Sequence, residues 1–147
     1  MFETSLLPIL QDDPTIIGLV STYNSGAAVF SDCAPEDAEL PFAETIIQEN
    51  SAGDSVVSQF IVSVDYYNNT ESSANARNFC ERVIELLDRC VIENDARYHK
   101  IRLFISSGPL RIDEGDPRDV HYSVQFSARA GRKKYIETYL TQTTEGD

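Results

Sequence analysis

Three runs of apolar–polar alternation constrain this chain more than any other feature of its sequence. In Val56–Tyr67, Phe60, Val62, Val64 and Tyr66 fall on one face and Gln59, Ser63 and Asp65 on the other. Farther on, His99, Ile101, Leu103 and Ile105 alternate with Lys100 and Arg102, and Val120, Tyr122, Val124, Phe126 and Ala128 alternate with His121, Ser123, Gln125, Ser127 and Arg129. A period of two held over this length predicts long strands, each with one buried face. The last two runs, joined through the polar turn Asp113–Arg118, predict a long antiparallel hairpin. Gly108-Pro109 is expected to bulge one arm, and Gly131 to break the second strand.

Between the first and second runs the period changes. Residues 71–93 place Ala76, Phe79, Val83, Leu86, Leu87 and Cys90 on one stripe, with Glu85 and Arg89 one turn apart outside it, which predicts a long helix. Asn68-Asn69-Thr70 ends the preceding strand and supplies residues able to cap that helix. The first half is less regular. Phe2–Gln11 predicts a short helix on Leu6, Leu7 and Leu10, with Pro8 bending or shortening it. Asp13-Pro14 reads as an N-cap and first-turn proline opening a second helix through Ile16, Ile17 and Val20. A polar turn at Thr22–Gly26, a strand at Ala27–Ser31, an acidic linker at Ser31–Leu40, a strand at Phe42–Gln48 and a turn at Asn50–Asp54 follow. Arg132–Leu140 predicts a short helix, and residues 141–147 a loose tail.

This order predicts a single α+β domain over residues 1–147. The N-terminal helices occupy 1–22 and a strand–helix–hairpin scaffold occupies 56–130. The sheet is antiparallel or mixed, with the long helix packed on one face.

Charge then narrows the function. The chain has 147 residues, 12 bases and 24 acids, for a net charge of −12. Residues 1–76 hold 12 acids and no base, Arg77 being the first; residues 77–147 hold the other 12 acids and all 12 bases. A 41% hydrophobic content is enough for a core, so disorder is excluded. No apolar run approaches the ~20 residues of a membrane-crossing helix. The start, MFETSLLPILQDD, carries an acid where a signal peptide carries Lys or Arg. Classical nucleic-acid binding needs clustered bases, and only Arg129, Arg132, Lys133 and Lys134 come near that. An odd count of three cysteines fits a reduced intracellular protein better than a disulfide scaffold.

The sequence offers no active site. The two histidines, His99 and His121, would sit roughly 30 Å apart in a regular hairpin that pairs His121 near residue 108, too far to share a site. No metal-binding, nucleophile-elbow or phosphate-cradling motif is present. Cys80 and Cys90 lie roughly 15 Å apart along one helix, too far to bridge, and read as buried or half-buried thiols. Asp12-Asp13 reads as helix capping, and Asp113-Glu114-Gly115-Asp116 as a hairpin turn rather than a calcium loop. No catalytic, cofactor or metal residue is assigned, and no enzyme activity is expected. What remains is surface. The linker acids Asp32, Glu36, Asp37 and Glu39, the hairpin bases Arg111 and Arg118, and the bases Arg132, Lys133 and Lys134 are the candidate interaction residues. The last three read equally as a solvated end of the hairpin or as a contact with an acidic partner or neighbouring subunit.

Taken together, short N-terminal helices, a Leu40-Pro41 step into the sheet, a long strand ending in aromatics (FIVSVDYY, 60–67), a helix bearing Ala and Arg (SSANARNFCERVIELLD, 72–88) and a closing hairpin ending in HYSVQFSARA (121–130) resemble the tail terminator, or tail completion, proteins of long-tailed bacteriophages. That resemblance implies a structural virion protein without enzymatic activity or cofactor. It implies a hexameric ring that caps the tail tube, ends tube polymerisation and joins the tail to a neck or head completion protein. DNA would pass the lumen unbound, no membrane would be involved, and the chain would reside in the virion tail after assembly in the host cytoplasm. The 97–130 hairpin would extend a sheet between subunits, and part of the base-free half would face the lumen or a basic partner. The residues alone leave two other readings open: an acidic module that inhibits a nucleic-acid enzyme by phosphate mimicry, and a carboxylate-based metal hydrolase.

Overall fold

A computed structural model describes residues 3–50, 56–70, 72–93 and 95–133. All three alternating runs are strands of one six-stranded mixed sheet. In chain order the elements are α1 (Glu3–Gln11), α2 (Pro14–Ile17), β1 (Thr22–Tyr23), β2 (Gly26–Ala27), β3 (Val29–Ser31), β4 (Phe42–Glu49), β5 (Val57–Asn69), α3 (Ala74–Leu87), β6 (Val91–Ile92), β7 (Tyr98–Ile112) and β8 (Asp119–Arg132). The sheet runs β3-β4-β5-β8-β7-β6, with β1 and β2 forming a separate small hairpin. Only β3–β4 is parallel; the other four pairings are antiparallel.

The centre of the sheet is β5 against β8, paired without interruption from Val57↔Gly131 to Asn69↔Asp119. One face of that pair is apolar. Phe60, Val62, Val64 and Tyr66 of β5 and Val120, Val124, Phe126, Ala128 and Ala130 of β8 are buried, together with Ala76, Phe79, Cys80, Val83 and Leu87 of α3. Leu6 and Leu10 of α1 and Ile16 of α2 join the same core. The Tyr66 and Phe79 rings meet at 4.7 Å, and the Tyr66 hydroxyl donates to the Leu19 carbonyl at 2.9 Å. Burial pushes the Tyr66 phenol up to about 12.

Packing, not capping, holds α3 in place. Ser73 at its N-cap makes no side-chain bond to the helix, and its last turn carries no base. Each large side chain it buries contributes about 1.5–3 kcal/mol, more than a typical cap. The helix is 14 residues long and stops at Leu87, shorter than the 71–93 stripe predicts. Asp88 turns to extended backbone and Arg89 adopts φ +62. Arg89 N–H then donates to the Leu103 carbonyl, Leu103 N–H donates to the Cys90 carbonyl, and β-branched Val91-Ile92 pairs with β7 as an edge strand. The Glu85/Arg89 pair gives way to Arg82–Glu85 at 2.9 Å.

Other local differences have equally plain causes. Pro8 lies inside α1, which continues to Gln11. Thr22–Gly26 is a tight hairpin turning at Asn24 and Ser25, both at positive φ, so Ala27 belongs to it and the next strand begins at Val29. Gly131 does not break β8, because it is flanked on both sides by partners, Val57 and His99. The β7–β8 register slips between Ser107 and Leu110, which places the bulge at Gly108-Pro109. Arg132, predicted to open a helix, instead ends β8, held there by Glu49; residues 134–140 of that predicted helix, the 141–147 tail and most of the 50–54 turn lie outside the described residues.

Asp13 fixes the N-terminal helices to α3. It caps α2 by accepting from Ile16 N–H at 3.1 Å, and it accepts from Arg82 Nη2 at 2.6 Å and Nε at 3.1 Å. The Arg82 hydrogen bonds hold the Asp13 carboxyl below its usual range.

Candidate interaction surface

The helices cover one face of the sheet. Among the described residues no helix covers the other face, and strand alternation decides what it presents. At the end near the hairpin turn, Phe42, Tyr67, His121 and Ile112 form a row across β4, β5, β8 and β7. Tyr67 stacks on His121 at 4.2 Å and meets the Phe42 ring at a tilt at 5.3 Å. His121 is buried to 8% exposure; its Nδ1 lies 2.5 Å from a Glu114 oxygen, and its Nε2 lies 3.6 Å from Asp65 without a hydrogen-bond partner. Burial, with the Glu44 and Asp65 carboxylates beside it, pushes the Tyr67 phenol upward. An open cleft bounded by Leu40, Phe42, Tyr67, Glu114 and Asp119 lies over this row. Toward the middle, Ile61 and Phe104 are 39% and 51% exposed. At the far end the face turns basic, with Arg102 opposite Arg129.

The two edges of the sheet differ in charge and in cover. At one, β3, the linker and β4 (residues 29–49) carry Asp32, Glu36, Asp37, Glu39, Glu44 and Glu49 and no base. At the other, β7 carries Lys100, Arg102 and Arg111 and no acid. β6 covers that edge only at Ile101 and Arg102. The adjoining Leu103 bonds to Cys90 and Arg89, and the Ile105 N–H donates to Asp88 at 2.9 Å. Beyond that, among the described residues, no strand pairs with the outer side of β7 through Ile112, where Leu110 and Ile112 are 55% and 40% exposed.

The residues singled out from the sequence fall into two groups. Asp32, Glu36, Asp37 and Glu39 are exposed in the linker, Asp37 accepting from the Tyr23 hydroxyl at 2.9 Å. Arg111 and Arg118 are exposed near the hairpin turn; Arg111 donates to the Pro117 carbonyl at 3.1 Å, and Arg118 lies 3.7 Å from Asp116. The bases at the end of β8 are turned inward. Arg132 binds the Glu49 carboxylate and Ser58, tying β8 to β4 and β5, and Lys133 Nζ donates to the Asp95 carbonyl at 2.7 Å. Lys134 lies outside the described residues. The Tyr67–His121 row escaped the sequence, because it depends on which strands become neighbours; the sequence predicts an edge on the 97–130 hairpin, but not that β7 is its exposed arm.

As for chemistry, His121 pairs with Ile112, not with residue 108, since the hairpin turns closer to Asp116-Pro117. His99 lies across from Gly131, ten residues along β8, so the imidazoles are still ~33 Å apart. Among the described residues no group of three or more His, Cys, Asp or Glu side chains is placed to hold a metal ion. Burial pushes the Cys80 thiol up to about 12, the opposite of an activated nucleophile. No described helix is long and apolar enough to cross a membrane.

These features define a class: a small mixed-sheet α+β domain whose distinguishing chemistry lies on an open face and two oppositely charged edges. No family model matches the chain, and no curated protein matches it. Among solved structures, it is similar to a chain of the virion of a native gene transfer agent particle, with a TM-score of 0.69 and 13% identity, over 88% of this chain and 93% of that one. At that identity the likeness establishes a shared fold.

Proposed function

We propose that the chain is a structural virion protein that caps the tail tube of a phage-like particle, ends tube growth and joins the tail to the neck or head. It acts as a ring of copies, hexameric in the resemblance drawn from its sequence, without enzymatic activity. The observation that carries this is the fold shared, nearly end to end, with a chain of a gene transfer agent virion. A ring also suits a domain with unlike edges, since only a head-to-tail contact closes a cycle of more than two copies. Its partners are then further copies of itself, the tube protein and a neck protein, and DNA crosses the lumen without being held. The charge agrees, because walls poor in bases do not retain phosphates.

Phosphate mimicry is the weaker reading. Its acids would need to lie on one exposed, regular face, whereas Asp32, Glu36, Asp37 and Glu39 sit in an irregular linker. The test is deletion of the gene from the particle that encodes it. Electron microscopy should then show overlong tubes or tails without heads. Normal, joined tails would refute the proposal.

A further inference from the structure

We infer that the outer edge of β7 is the seat of a second copy of this chain, which offers its acidic β3–linker–β4 edge head to tail. The inference deepens the ring reading above by naming the two surfaces that meet.

Its first support is a strand edge that needs cover. β7 spans Tyr98–Ile112, but β6 covers only two of its residues, and the arm beyond Ile105 carries exposed Leu110 and Ile112 on a side where, among the described residues, no strand pairs. A long, partly apolar free edge is a pairing site unless something occupies it.

The second support is charge. Lys100, Arg102 and Arg111 are exposed, and among the described residues no carboxylate forms an ion pair with them. Asp32, Glu36, Asp37 and Glu39 are likewise exposed, with no ion pair to a described base. Within one subunit the two edges cannot neutralise each other. Four inter-strand spacings of about 4.8 Å separate β3 from β7 by roughly 19 Å, more than twice the Debye length at physiological salt. Between copies they can.

Charge also selects the geometry. A two-fold contact of β7 with β7 would bring two base-bearing, acid-free strands together and leave both acidic edges unmatched, which charge complementarity opposes. Pairing unlike edges instead brings Arg111 on the free arm, with Lys100 and Arg102 farther along the same strand, toward four acids and leaves each copy with one edge still open. That contact is heterologous, so it propagates, and a suitable rotation closes it into a ring.

Two charge-reversed variants test this. One is Lys100→Glu/Arg102→Glu/Arg111→Glu; the other is Glu36→Lys/Asp37→Lys/Glu39→Lys. Assembly is followed by mass photometry and sedimentation velocity of the full chain. Each variant alone should need at least ~10-fold more protein than wild type for half-assembly. An equimolar mixture should return to within ~3-fold of wild type, because acid-edged and base-edged copies then alternate. Rescue on mixing also shows that both variants fold. Wild-type-like assembly of either variant alone, or a mixture that fails to recover, would overturn the inference.

A second measurement does not depend on charge. Leu110→Cys combined with native, exposed Cys33 should give a ladder beyond dimer with a short bismaleimide cross-linker. Dimer alone, or no cross-link, counts against head-to-tail contact. The two readings fail differently. Wild type that assembles through these edges but does not attach to tail tubes refutes the capping function. Attachment with unaltered assembly of both variants refutes only the contact.

Discussion

Two glycines in the hairpin provide a matched pair for testing how β7 is held against β8. Both have positive φ, +106 at Gly108 and +93 at Gly115, so an alanine at either is strained by its backbone. That strain costs roughly 1 kcal/mol. The surroundings differ. A Cβ at Gly115 meets nothing within 4 Å, whereas at Gly108 it would sit 2.7 Å from the Ser123 carbonyl oxygen and 3.0 Å from Val124 Cα. Both of those atoms are backbone of the central strand β8 and cannot swing aside as a side-chain tip would. Relief requires the arm to move off β8, an overpacking cost of about 1–3 kcal/mol in addition. Gly108→Ala should therefore lose about 3 kcal/mol and Gly115→Ala about 1. At roughly 2–4 °C per kcal/mol for a chain near this size, Tm should fall by about 6–12 °C and 2–4 °C respectively. Urea and thermal denaturation of the two variants beside wild type measure this. Equal losses, or a Gly108→Ala variant as stable as wild type, would refute the close approach of the two strands at the bulge.

The Arg82–Asp13 contact predicts a pH signature. Asp13 is held below its ordinary 3.8, so its contribution to stability is present above pH 3.8 and is lost as pH falls through the still lower folded value. Wild type should exceed Arg82→Leu in Tm most clearly near pH 6, with the gap narrowing below pH 3.8; a gap constant from pH 2 to 6 would contradict the pairing. Thiol reactivity gives a separate check on the core. Cys33 is exposed, while Cys80 is buried with its thiol pushed up to about 12, so maleimide at pH 7.5 should label Cys33 in the native protein and Cys80 only on unfolding, as peptide mass spectrometry would report. Raised above the ordinary thiol value of 9.0, Cys80 should also make the fold lose stability as pH climbs above about 9, visible as a falling Tm in the alkaline range.

Much of the sheet was legible in the sequence because its central strands are amphipathic. Phe60, Val62, Val64 and Tyr66 contrast with polar neighbours strongly enough that period two leaves one solution, and residues 120–130 behave the same way. The end of α3 was not legible. Cys90, Val91 and Ile92 continue an apolar pattern that a helix or an edge strand satisfies equally, and only hydrogen bonds to Leu103 on β7 decide between them. Gly131 misled for a related reason: a glycine weakens a strand locally, but one with partners on both sides stays in register. The candidate surface was legible in part. The base-free stretch is visible as residues in order, whereas its meeting with a base-rich strand at the opposite edge requires the order β3-β4-β5-β8-β7-β6. The inward turn of Arg132 and Lys133 similarly depends on Glu49 and Asp95, distant in sequence and close in the fold.

The central claim concerns where this protein sits. Cryo-electron microscopy of intact particles that encode it, with the density at the tube-to-head junction resolved well enough to trace a six-stranded sheet, examines that claim most directly. The account predicts one ring of this fold at that junction, each copy presenting β7 to the acidic edge of the next. Finding the chain elsewhere in the particle, or absent from it, would contradict the account.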